Sequence, residues 1–192
     1  MRAALFLLAA LTSVGSGAHA QFGNPGFANP ATPGIESGKP SADTANTTDI
    51  VYLRQASIGN QAEVEIGNLA AERGQASSVK DFARRMVDDH RRGADSLGDL
   101  ARDKDTPLPR ELDMDHNVVL GQLRQLSGAA FDIAYMRAQI VDHQKTAQLL
   151  AYEIGGGQSD AVRRSAQESL PMVVEHLEMA KRIHAELTGA AP

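Results

Sequence analysis

The chain has 192 residues, with 19 Lys and Arg against 24 Asp and Glu, so its length suits one folded domain and its formal charge of −5 argues against a nucleic-acid partner. Apolar residues make up 42% but aromatics only 4%, tryptophan is absent and alanine is abundant, a mixture that favours closely packed helices over strands. The absence of cysteine excludes a disulfide framework, a thiolate metal site, a cysteine nucleophile and an acylated lipoprotein cysteine, so any metal must be held by His, carboxylate or Met.

Residues 1–20 place Arg2 before an apolar run from Ala3 to Leu11 and end on Ala18-His19-Ala20, the small-x-small pattern of a secretory signal peptide cleaved after Ala20. An apolar run of about nine residues is too short for a hydrocarbon core that needs roughly 20, and no later stretch is apolar enough to span. The expected product is exported and soluble. Residues 21–48 carry four Pro and four Gly with few large apolar side chains, the composition of a flexible tether, and whether it is anchored stays open.

The folded unit is expected over 49–188, as four long helices. The first runs from about Asp49 to Arg73 and stops at Gly74, with an irregularity expected near Gly59. The second, capped by Ser77 or Ser78 and reaching about Arg102, has the stripe Val79, Ala83, Met86, His90, Gly93, Leu97. A turn around Pro107 and Pro109 leads to a short crossover helix from Asp113 to Leu126. The third long helix, about Ala129 to Ile154, carries the seam Ile133, Met136, Ile140, His143, Ala147, Leu150, Ile154. Gly155-Gly156-Gly157 reads as a turn, since it lacks the strand context of a phosphate loop. The fourth, about Ser159 to Leu187, has Pro171 as a kink or restart, followed by Met172, His176, Met179, Ile183 and Leu187. Two helix pairs with short turns, joined by a longer link, describe an all-α antiparallel four-helix bundle with a short crossover helix. A weak internal echo, Met-x-x-x-His in the second and fourth helices, suggests two pairs related by a pseudo-twofold axis.

Three helices each place a histidine in the apolar seam after an acidic residue: Asp89-His90, Asp142-His143 and Glu175-His176. Neutral imidazole is the commonest metal ligand, and an acid on an adjacent helix can hold the ring nitrogen that does not ligate. The first helix offers Glu63 at the edge of its seam, while Glu65 should face solvent. If the four helices contribute at one depth, Glu63, His90, His143 and His176 form a set that suits zinc, copper or iron. The competing reading is a polar core without metal, in which the histidines pair with Asp89, Asp142 and Glu175 to fix helix register. Met86 and Met172 lie one turn before His90 and His176, where a thioether would favour copper(I), although methionine also fills cores. His116 and His184 read as surface or rim residues. The pairs Arg84-Arg85 and Arg91-Arg92 read as a solvated face, with an anionic-lipid or phosphate patch as the alternative.

The segments 62–70, Val79 through His90, Phe131 through Tyr135 with Asp142-His143, and Leu170-Pro171 with His176 resemble the exported bacterial family termed domain of unknown function 4142, over about 49–188. That resemblance implies a ferritin-like fold, an envelope address and motif positions at Glu63, His90, His143 and His176, without a reaction. Ferritin-like di-iron sites use Glu-x-x-His on two helices, whereas the residues three before His90 and His176 are Val87 and Val173, which speaks against a carboxylate-bridged di-iron oxidase. The expectation is an exported bundle, more binding protein than enzyme, holding one transition metal for metal handling or envelope stress. A structural or interaction module, with an envelope protein or a second copy as partner, and a metal-dependent redox enzyme are the alternatives. No nucleotide or organic cofactor is indicated.

Overall fold

The structure is a computed structural model that describes residues 43–189, all helix and turn; the expected signal peptide, and the tether up to residue 42, lie outside the described residues. Five helices follow in order: α1 (Thr47–Arg73), α2 (Ser77–Asp103), α3 (Met114–Arg124), α4 (Gly128–Gly156) and α5 (Asp160–Thr188). The hairpins α1–α2 and α4–α5 pack through α1 against α4 and α2 against α5, giving a ferritin-like four-helix bundle. Side-chain pairings show each of these neighbours to be antiparallel. Asp49 at the start of α1 meets residues 158–159 beyond the end of α4, and Arg85 and Asp89 on α2 meet Met179 and His176 on α5 in reversed order. The link from α2 to α4 must therefore climb the bundle, and α3 does so lying against α4.

Each hairpin turn is clamped by an aspartate from the other hairpin. Asp49 accepts hydrogen bonds from the backbone N–H of Gln158 (3.0 Å) and Ser159 (3.2 Å). Asp132 accepts from Gln75 (2.9 Å) and Ala76 (2.8 Å). The two clamps sit in matching sequence, Asp49-Ile-Val-Tyr52 and Asp132-Ile-Ala-Tyr135, a clearer mark of the pseudo-twofold than Met-x-x-x-His. In this register His143 on α4 corresponds to Asn60 on α1.

Several local expectations are revised. Ser77 and Ser78 do not cap α2: the cap is Ala76, without a side-chain hydrogen bond, because Asp132 serves that turn from a distance. At the start of α1, Asn46 and Asp49 form a reciprocal capping box. No helix boundary falls at Gly59 or Pro171, and α5 continues through the proline because packing outweighs its local preference. Gly155 and Gly156 extend α4, leaving only Gly157 as the cap. The buried face of α4 carries Asp132, Gln139 and Glu153 beside the apolar seam, since that helix is covered by both α1 and α5.

The core divides into two apolar clusters. One gathers Ile66, Phe82, Met86, Phe131, Tyr135, Met136 and Ile183; the other gathers Tyr52, Leu53, Leu97, Leu150, Val162 and Val173. Between them lies a layer of polar side chains from all four long helices.

Candidate metal centre

His90 on α2, His143 on α4 and His176 on α5 occupy this layer and are 5%, 1% and 0% exposed. Burial is dictated by their place in each apolar stripe, one turn from Met86 for His90 and from Val173 for His176, and two turns from Met136 for His143. Their ring centroids are 5.4–5.7 Å apart, and one ring nitrogen from each lies within 4.8 Å of the other two. His143 Nε2 and His176 Nδ1 approach to 3.4 Å.

Hydrogen bonding on the outer side of each ring decides which nitrogen carries the proton. His143 Nδ1 donates to the Gln139 carbonyl at 3.0 Å, His176 Nε2 donates to Asp89 Oδ2 at 2.9 Å, and His90 Nδ1 donates to Asn60 Oδ1 at 2.8 Å. Each neutral ring then turns an unprotonated nitrogen inward. The 3.4 Å contact between His143 and His176 is thus lone pair against lone pair, and His90 Nε2 is buried with no partner. Burial, reinforced by the neighbouring rings, holds His90 down at about 3; burial likewise holds His143 at about 4 and lowers His176. Neutral imidazoles with converging lone pairs are the state in which histidine binds a metal. Tetrahedral bonds of about 2.0–2.1 Å place neighbouring nitrogens roughly 3.3 Å apart, close to the observed approach.

Asp89 orients this arrangement. Its carboxylate, 9% exposed, receives His176 Nε2 together with Arg85 and Arg92. Burial pushes its proton affinity up, but the hydrogen bonds from His176 and Arg85 hold it below the usual carboxylate range. The acid that precedes each histidine serves a different partner. Asp89 holds His176, Asp142 pairs with His116 at 3.1 Å, and Glu175 is an exposed partner of Arg85 at 2.9 Å. The register reading had expected all three acids to pair with the seam histidines, and only Asp89 does.

Glu63 lies apart from the three inward nitrogens. It is 2% exposed and stands on the other edge of His143, with Oε1 at 3.9 Å from Nδ1. Gln139 Nε2 donates to both of its oxygens, at 3.1 and 2.9 Å. Burial and the adjacent Asp142 raise the Glu63 carboxyl well above its ordinary range. Burial also acts upward on Asp142, yet the hydrogen bond from His116 keeps it below the usual carboxylate range. Glu65 is exposed, as its position on the helix predicted.

Asn60 and Gln139 were not picked out from the sequence, because neither type announces chemistry; only the tertiary register aligns Asn60 with His143. Val87 and Val173 are buried apolar residues, so no second carboxylate stands where a di-iron site needs one. Met86 belongs to one apolar cluster, while half-buried Met172 lines a cavity of about 280 Å³ with Asn60, Asp89 and His90. A second cavity, of about 360 Å³, lies between α3 and the α1–α4 pair. His116 is more than a rim residue, since it bridges Asp113 (2.7 Å) and Asp142 and ties α3 to α4.

Helices paired as two hairpins around a buried histidine layer define a ferritin-like bundle. The chain belongs to the family described as Domain of unknown function (DUF4142), whose pattern it matches over residues 36–183. In fold it is similar to the crystal structure of a DUF305 fragment from Deinococcus radiodurans, with a TM-score of 0.67 and 12% identity over 74% of this chain and 99% of that one. No curated protein matches it.

Proposed function

We propose that the protein is an exported metal-handling bundle that holds one transition metal through His90, His143 and His176. The observation that carries this reading is the pair of unprotonated nitrogens facing each other at 3.4 Å, with a third, partnerless nitrogen beside them. A layer built only to set helix register would gain by placing a hydrogen between those atoms. Three imidazoles suit zinc or copper, and Asp89, Asn60 and the Gln139 carbonyl fix the rings from behind. Export is supported by the pattern of residues 1–20, and among the described residues no helix is long and apolar enough to cross a membrane.

The test is metal content after refolding with zinc or copper and dialysis, comparing wild type with His90→Ala/His143→Ala/His176→Ala. One equivalent should be lost in the variant, and equal content would reject the site. A redox or hydrolytic role needs a free coordination position, and the cavity beside His90 keeps that reading alive. Turnover of a small oxidisable or hydrolysable substrate by loaded protein, abolished by His90→Ala, would favour it.

A further inference from the structure

Glu63 and Asp142 line both cavities, the one beneath α3 and the one beside the histidine layer. Two carboxyl groups whose oxygens lie within 4.8 Å of each other, one buried and one half-buried, repel unless something positive lies between them. The surroundings point to a cation. Gln139, 1% exposed, spends Nε2 on Glu63 and leaves Oε1 buried with no partner. The Tyr135 hydroxyl, one turn earlier on α4, is also buried without a partner. One ligating atom each from Glu63, Asp142 and His143 fall within 4.8 Å of one another.

The orientation of a glutamine amide is set by its hydrogen bonds, and a bound ion would reverse it. Turned over, Gln139 would bring Oε1 to the place of Nε2, 2.9–3.1 Å from the Glu63 oxygens. Neighbouring oxygens around a hard divalent ion with bonds near 2.1 Å are separated by about 3 Å. We propose that Glu63, Asp142 and Gln139 Oε1 form a second divalent-cation position at the Nδ1 edge of His143. Its oxygen-dominated donor set selects a harder ion, of the manganese(II) class, than the three imidazoles do. The position stands independently of the histidine reading, since the two share only the His143 ring and use its opposite edges.

The test is titration of the full chain with manganese(II), following the free ion by electron paramagnetic resonance. Wild type should bind one equivalent, and His90→Ala/His176→Ala should keep it. Glu63→Gln/Asp142→Asn should weaken it by at least about tenfold. Absence of binding to folded wild type, loss in the histidine variant, or undiminished binding in the carboxylate variant would each overturn the second position. If the carboxylate variant loses its wild-type circular dichroism, Gln139→Leu takes its place, with the same weakening expected and unchanged affinity overturning the proposal. Manganese binding that persists while zinc content proves independent of the histidines would sink the three-histidine site alone.

Discussion

His143 shows how one side chain is given two faces. Its Nδ1 is committed to the Gln139 carbonyl and lies near Glu63, while Nε2 looks into the histidine layer. The pH dependence follows from such residues. His90 and His143 bind protons in the unfolded chain below about 6.5 but resist them in the fold until about 3 and 4, so the stability they contribute is present above pH 6.5 and lost as pH falls. Glu153 acts in the opposite sense. Fully buried, it is pushed up to about 8 by burial and by Asp49, so its contribution is complete below its unfolded value near 4.5 and is lost as pH rises through 8. Urea unfolding between pH 4 and 9 should show both limbs. Glu153→Gln, which is nearly isosteric and cannot ionise, should remove the alkaline decline. His143→Gln should flatten the acid limb, by up to about 1.4 kcal/mol per pH unit. An alkaline decline that survives Glu153→Gln would contradict the assignment of that limb to Glu153. The histidines were legible as candidates because an ionisable residue in an apolar stripe is conspicuous; Glu153 was not, because a glutamate beside a glycine turn is ordinary until its surroundings are known.

Among the elements, helix existence and order were readable from 3.6-residue periodicity, and ends that depend on local chemistry were readable too, as at Asp113, whose side chain caps α3. What failed was capping supplied from afar. The two serines at 77 and 78 were natural caps for α2, yet Asp132 meets that turn across the bundle. Asp132→Ala should therefore destabilise the protein by about 1–3 kcal/mol for each backbone donor left unpaired, with an unchanged urea m-value. A loss below 0.5 kcal/mol, the usual size for a surface change, would mean that water serves that turn instead. The α1–α2 hairpin also relies on close approach at Gly67, where an added Cβ would lie 2.8 Å from Val87 Cγ2.

Across the whole molecule, a polar layer separating two apolar clusters gives the bundle a floor and a ceiling around the histidines. An ion held by α2, α4 and α5 together binds only the assembled fold, so it should stabilise by mass action. At a free zinc concentration about a hundredfold above Kd, the gain is roughly 2.7 kcal/mol, and Tm should rise by about 5–10 °C in thermal melts and return on chelation. An unchanged Tm, with zinc absent from the protein, would leave the layer as a device of register. The sequence by itself determined the helical class, the bundle order and the three histidines, because amphipathic periodicity and composition are local properties of the chain. Only the tertiary structure decided that those rings converge, that Asn60 rather than Glu63 stands opposite them, and which acid serves which imidazole. Depth and rotation within a bundle arise from contacts between helices distant in sequence, and no spacing along one helix records them.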